Sequence, residues 1–244
     1  MTNARTKLYN FAMEIFGLEK LSLVDYDGFV AATVFTARCN FKCGFCHNSA
    51  LVLDYNNLSK IPEDEVLSYL AKRKGVLEGL CITGGEPTLN PDLPEFIKKV
   101  KDIGYSVKVD TNGTNPEMVK LLVKEKLADY FAIDIKNDRT HYAEIIGFKT
   151  FDTSKVEKTV EFLLSGKIGY EFRTTLIAEY HKAENMKAIA EWIKGADKYC
   201  LQKFKSGDNC ISQGLSPVET ETAKEFAEIV RPFVKTVNLR GYDL

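Results

Sequence analysis

Short apolar runs rich in β-branched residues alternate with segments whose apolar residues recur every three or four positions, and the alternation repeats six times along the chain. The runs at 29–37 (FVAATVFTA), 77–83, 105–109, 129–135, 170–177 and 198–204 are predicted strands. Helices are predicted at 62–74, 92–102, 115–126, 153–166 and 183–195, with start signals such as Asp92 and Asn115–Pro116 and with Gly75, Gly104, Gly166 and Gly195 after their last turns. A final helix at 220–233 and a short run at 234–239 close the pattern. Strand–helix alternation implies a parallel sheet, either an open doubly wound layer or a (β/α) barrel. A complete eight-stranded barrel takes about 250 residues, so six units here point to an α/β fold of the incomplete (β/α)6, TIM-like kind.

The 244 residues carry no Pro/Gly/Ser-rich linker, so one domain is expected over 21–244, preceded by a helical lead-in over 1–20. Charge nearly cancels, 33 Lys+Arg against 34 Asp+Glu, which removes the basic field that drives nucleic-acid binding. The first twenty residues interrupt their apolar positions with Arg5, Lys7, Glu14, Glu19 and Lys20, unlike a signal peptide, and no apolar run approaches the ~18 residues of a membrane span. A cytoplasmic protein is expected, with its six cysteines reduced and available for metal or catalysis.

Unusual residues cluster at the C-terminal ends of the predicted strands: CNFKCGFCHN (39–48), TGGEP (83–87), DTNG (110–113), IDIK (133–136) and Arg173. In a parallel sheet these ends share one mouth, where α/β folds place their chemistry. Cys39, Cys43 and Cys46 sit within eight positions. A structural zinc ion wants a closed set of four ligands, and strain keeps His47 from sharing a metal with Cys46. Three thiolates on a short loop suit three corners of an iron–sulfur cube better, leaving one iron open to a small amine- and carboxylate-bearing ligand. Phe45 would either cover such a ligand or pack beneath the loop. Asp110 and Asp134 read as a carboxylate pair needing a cation or Lys136 between them, or as solvated helix starts. Arg173 either faces the mouth or points outward.

The CxxxCxxC spacing with an aromatic before the last cysteine, followed by GGEP, resembles the radical S-adenosylmethionine superfamily. CHN, DTNG and DIK are similar to the activating enzymes of glycyl radical enzymes, and GLEKLSLVDYDG with CGFCHN looks most like the anaerobic ribonucleoside-triphosphate reductase activating group. The likeness runs from about residue 17 to residue 204. It implies a [4Fe–4S] cluster on Cys39, Cys43 and Cys46, whose open iron binds S-adenosylmethionine, and reductive cleavage to a 5′-deoxyadenosyl radical. It further implies that Phe45, His47 and Asn48 flank the ligand. Gly84, Gly85 and Glu86 would cradle its ammonium, and Asp110, Thr111, Asn112, Asp134, Ile135, Lys136 and Arg173 would contact it. Asp110, Thr111 and Asp134 are the implied monovalent-cation ligands, and Lys136 an implied catalytic residue. The implied partners are a glycyl radical enzyme and a reduced flavodoxin or ferredoxin, with no nucleic acid and no membrane.

Where other activating enzymes often place an adenine-contacting His, this chain has Lys205. It lacks cysteines between Cys46 and Cys81 for a ferredoxin-like insertion, and Cys200 and Cys210 are too few for a further four-cysteine cluster. Three rivals stay open: activation of pyruvate formate-lyase or another glycyl radical enzyme, a small-molecule enzyme of the carboxydeazaguanine synthase type, and a zinc-holding binding module.

Overall fold

Among the described residues eight strands form one sheet, and their order in space is their order along the chain. The computed structural model describes residues 12–243. The elements run β1 (Ile15–Ser22), β2 (Ala31–Thr36), α1 (Ser49–Leu53), α2 (Glu63–Lys72), β3 (Gly79–Gly84), α3 (Leu93–Ile103), β4 (Ser106–Thr111), α4 (Pro116–Lys124), β5 (Tyr130–Asp134), α5 (Tyr142–Ile145), α6 (Ser154–Leu164), β6 (Gly169–Leu176), α7 (Ala183–Trp192), β7 (Tyr199–Lys203), α8 (Thr220–Val230) and β8 (Val237–Arg240). From β2 to β8 every neighbouring pair is parallel, whereas β1 pairs antiparallel with β2. β1 and β8 remain the two edges of an unclosed sheet, an incomplete barrel as the pattern anticipates. All six expected strand–helix repeats are present, and α8 leads into β8 as a further parallel strand.

Period-two alternation sorts the strand residues onto two faces. Leu80, Ile82, Val107, Val109, Phe131, Ile133 and Phe172 belong to the apolar core that the sheet shares with Leu70, Phe96, Ile97, Leu122, Val160 and Ile189 of the helices. Burial of this layer is the main stabilising term of the fold. The alternating positions Cys81, Lys108, Asp110, Asp134, Glu171 and Arg173 lie on the other face, inside the partial barrel; hydrogen bonds and ion pairs join all of these but Glu171, which pairs with Lys198 and Arg240 instead.

The expected helical lead-in over 1–20 is corrected by β1, which begins at Ile15; residues 1–11 lie outside the described residues. Two-residue alternation wins here. Met13 and Ile15 are buried, while the Glu14 carboxylate turns outward to Arg38 and Lys60. Hydrogen bonding along the edge of β2 satisfies this segment's backbone groups, so the boundary expected at residue 20 falls inside a strand.

At the N-terminal end of the parallel strands, the β1–β2 connection folds inward. Tyr26 stacks on Phe29 with ring centroids 4.2 Å apart and lies 6.1 Å from the Tyr130 ring. A β-carbon on Gly79 would stand 2.8 Å from the Tyr26 ring, so only glycine admits this plug at the start of β3. Beside it, Asp27 accepts from Lys198 (2.5 Å) and Arg240 (3.3 Å), and both cations also pair with Glu171 (3.2 Å each). The four charges bind the first connection of the sheet to its last strands, which do not hydrogen-bond to β1.

Candidate active site

The loop after β2 is set by two close backbone crossings. Arg38, directly before Cys39, is held at φ 63°, a left-handed conformation uncommon outside glycine. Its carbonyl accepts from Glu86 N at 2.7 Å, and Gly85 N donates to Thr36 O at 2.8 Å. A β-carbon would lie 2.3 Å from Thr36 O at Gly84 (φ +112°) and 2.1 Å from Arg38 O at Gly85. The glycine pair is therefore required by the approach of the GGEP turn to the cysteine loop. Asn48 Nδ2 donates to Gly84 O at 3.0 Å and fastens the far end of that loop to the same turn.

Glu86 ties the turn to DTNG. Fully buried, it accepts from Thr88 N (3.0 Å), Thr88 Oγ1 (2.5 Å), Thr111 Oγ1 (2.6 Å) and Asn112 N (2.7 Å). Burial pushes its carboxyl above the usual range, although these four donors oppose the shift. Asn112 continues to the cysteine loop, donating to Asn40 Oδ1 at 2.8 Å and standing 3.9 Å from Cys39 Sγ. Thr114 Oγ1 donates to Asn112 Oδ1 (2.7 Å) and accepts from Asn40 Nδ2 (2.9 Å), which closes the triangle.

Cys39, Cys43 and Cys46 share this loop, Cys43 buried and the others half-buried. Among the described residues no three His, Cys, Asp or Glu side chains converge on a single ion position. The three thiols nevertheless share the field of one cation, Lys136. Burial pushes the Cys39 thiol up to about 12, with Glu86 adding to it, and the Cys43 thiol to about 11; Cys46 rises for the same reason. Such thiols give up their protons when a metal takes the place of those protons. N–H groups already point at the sulfurs: Phe41 N at 3.4 Å and Asn112 Nδ2 at 3.9 Å from Cys39, and the Asn48 backbone at Cys46. N–H donors directed at sulfur suit thiolates that ligate an iron–sulfur cluster.

Beneath the loop lies a ladder of charge. Lys108 donates to Asp110 Oδ1 at 2.5 Å, and Arg173 reaches Asp110 Oδ2 through Nη1 (3.2 Å) and Asp134 Oδ1 through Nε (2.7 Å). Lys136 donates to Asp134 Oδ2 at 2.9 Å and stands 5.5 Å from the centre of the Phe45 ring. Arg173 thus occupies the position between the two carboxylates for which the sequence suggested a monovalent cation or Lys136. Burial opposes ionisation of both acids, yet Lys108 and Arg173 hold Asp110 below the usual carboxylate range, and Arg173 with Lys136 does the same for Asp134. The Asp134 charge in turn outweighs burial at Lys136 and holds its ammonium above the usual lysine range.

The expected residues divide four ways. The three cysteines, Phe45, Asn48, Gly84–Glu86, Asn112, Asp110, Asp134, Lys136 and Arg173 come together at the mouth. Thr111 is a framework residue, its hydroxyl given to Glu86 and accepting from Gly113 N at 3.1 Å. The Ile135 side chain belongs to the apolar core, whereas its N–H and C=O bond to Arg173 O and Thr174 Oγ1. His47 is exposed and packs edge-on against Phe204, which also meets Phe45. Sequence reasoning missed Asn40, Thr114, Lys108 and His181; of these, only Lys108 left a signal, a charge alternating with valines in VKVD.

The chain matches the family model described as the Radical SAM superfamily over residues 33–194, a span that begins within β2 and ends beyond α7. The chain belongs to the radical SAM superfamily. This family uses a [4Fe–4S] cluster and S-adenosylmethionine, and the thiol loop described above fits that cofactor set. A Methanocaldococcus jannaschii protein provisionally named a glycyl-radical enzyme activating enzyme is 30% identical over 233 residues, covering 92% of this chain and 94% of the relative. A Pyrococcus abyssi protein provisionally named a GTP 3′,8-cyclase is 32% identical over 201 residues, covering 81% of this chain but 60% of the relative. Among solved structures, a domain of pyruvate-formate lyase-activating enzyme from Bacteroides vulgatus aligns with TM-score 0.55 and 19% identity over 67% of this chain and 99% of that one. Streptococcus suis SuiB bound to S-adenosylmethionine aligns with TM-score 0.63 and 16% identity over 84% of this chain and 48% of its own length. At these identities the two structures support the fold of this radical SAM enzyme and nothing finer. Among the described residues no helix is long and apolar enough to cross a membrane.

Proposed function

We propose that this radical SAM enzyme activates a glycyl radical enzyme, abstracting hydrogen from a backbone glycine of a partner protein, with anaerobic ribonucleoside-triphosphate reductase the favoured partner. The observation that carries this reading is the end-to-end correspondence with the activating-enzyme relative, 92% of one chain on 94% of the other, against 60% of the cyclase relative's length. The inner face agrees with it. Lys108, Asp110, Arg173 and Asp134 fill the barrel beneath the thiol loop with paired charge, so a substrate is met at the rim, where a protein loop can reach.

In this reading Cys39, Cys43 and Cys46 hold the [4Fe–4S] cluster, and S-adenosylmethionine bound to it supplies a 5′-deoxyadenosyl radical on one-electron reduction. Lys136, fixed by Asp134 and covered by Phe45, pairs with the carboxylate of S-adenosylmethionine, and the Gly84–Glu86 turn faces its ammonium. Asn48 flanks the ligand, Asp110 and Arg173 hold the far side, Asn112 keeps the cysteine loop in place, and His47 backs the Phe204 ring that meets Phe45. A reduced flavodoxin or ferredoxin is the electron source, and a cytoplasmic setting keeps the thiols reduced.

The test is anaerobic reconstitution followed by pairwise activation. Dithionite-driven formation of 5′-deoxyadenosine, together with a glycyl radical signal in anaerobic ribonucleoside-triphosphate reductase and none in pyruvate formate-lyase, is the expected outcome. A signal in pyruvate formate-lyase alone moves the partner. Turnover of GTP to a cyclised nucleotide without any protein radical replaces activation with the cyclase reading.

A further inference from the structure

The segment that carries Lys136 is fastened residue by residue to β6, to the connection after it and to the start of α7. Ile135 N donates to Arg173 O (2.8 Å), and Thr174 Oγ1 donates to Ile135 O (2.6 Å). Asn137 Nδ2 donates to Tyr180 O (3.2 Å), and Asn185 Nδ2 donates to Asp138 Oδ2 (2.5 Å). Between these contacts, His181 Nε2 lies 2.9 Å from the carbonyl oxygen of Lys136 itself.

The tautomer of His181 follows from its partners. Ile177 N–H points at Nδ1 from 2.9 Å. Ile177 O, 3.3 Å from Nδ1, already accepts from Tyr180 N (3.1 Å) and His181 N (2.9 Å) and needs no third donor. Nδ1 is therefore the acceptor, and the proton on Nε2 goes to Lys136 O. The ring is 1% exposed, so neither bond can be exchanged for water. No other hydrogen bond spans directly from the β6–α7 connection to the Lys136 backbone.

We propose that His181 is a positioning residue for Lys136, its Nε2–H fixing the Lys136 carbonyl and with it the point from which the Lys136 ammonium reaches the thiol loop. The inference rests on the reading above that Lys136 pairs with S-adenosylmethionine, and it does not depend on which protein is activated.

Two substitutions divide the two bonds. In His181→Gln the side-chain amide nitrogen lies near the place of Nε2 and can still donate to Lys136 O, while Ile177 N–H loses its acceptor. In His181→Asn the amide oxygen lies near the place of Nδ1, so Ile177 keeps its partner and Lys136 O loses its donor. Each variant forfeits one buried hydrogen bond, so a purely structural role moves both alike. With the cluster-loaded enzyme, His181→Asn is expected to weaken S-adenosylmethionine binding about tenfold, as dissociation constant and as KM, with kcat at saturation within about threefold; His181→Gln is expected to stay within about twofold of wild type. Nitrogen-15 NMR of the wild-type chain before cluster loading is expected to show His181 protonated at Nε2 and bare at Nδ1. The opposite tautomer, or equal affinities for the two variants, overturns the proposal. Because these readouts need no protein partner, failure to activate any glycyl radical enzyme counts against the proposed function and leaves the role of His181 standing.

Discussion

The mouth of the partial barrel and its opposite end are both built from paired charge, yet the pairing differs. At the base, Lys198 and Arg240 face Asp27 and Glu171, two cations for two carboxylates, each acid bonded to both bases. At the mouth, Lys108, Arg173 and Lys136 face only Asp110 and Asp134. The base is complete in itself. A third acid at the mouth, Glu86, is met by hydroxyl and N–H donors and by no cation, and beside it stand three thiols that burial keeps protonated. Thiolate-ligated metal and a carboxylate-bearing ligand would bring their negative charge to Lys136, the cation whose field all three thiols share, whereas the base has no such group waiting for a partner.

Substitutions at the two ends put this contrast to the test. The largest effect belongs to the thiols: Cys39→Ala, Cys43→Ala or Cys46→Ala should each abolish iron and sulfide retention and lower 5′-deoxyadenosine formation by more than about a thousandfold, read by metal analysis and product chromatography. A variant that keeps both would separate the chemistry from this loop. Next comes Asp134→Ala, which leaves Lys136 and Arg173 without their shared acid at the mouth. It should destabilise the chain by about 3–5 kcal/mol in denaturant unfolding, the range seen when one partner of a buried pair is removed, and should raise KM for S-adenosylmethionine as Lys136 loses its anchor. The smallest is Asp27→Asn at the base. The Asp27 side chain is 53% exposed and Glu171 stays paired, so the loss should be under about 1 kcal/mol with 5′-deoxyadenosine formation unchanged. A large catalytic effect from Asp27→Asn would remove the distinction between the two ends.

The repeat of strands and helices was legible because each strand's apolar face and each helix's stripe meet the same core, and period alone reports that. The cysteine loop was legible because its spacing has few other uses. β1 was not, since Met13 and Ile15 supply only two alternating positions before the chain becomes mostly exposed, and a mixed apolar–charged run reads as readily as a helix. Lys108 sits in a strand where charge ordinarily signals solvent, but here the alternate face looks into the barrel and finds Asp110. Asn40, Thr114 and His181 carry no local signature, because the contacts that bring them to the site reach partners 72–74 and 45 positions away, which only the fold introduces. The glycine pair reads as a cradle for a ligand from its motif alone, while the crossing of two backbones that also needs its conformational freedom is a demand that periodicity cannot express.

Strand order that copies chain order also bears on how the molecule assembles. Each strand pairs with its neighbour in the chain, so the sheet can grow one unit at a time, each step closing one parallel crossover. The contacts of Asp27 with Lys198 and Arg240 span 171 and 213 positions, and they can form only when the last strands arrive. Loosening this long-range fastening is expected to quicken unfolding more than it slows refolding.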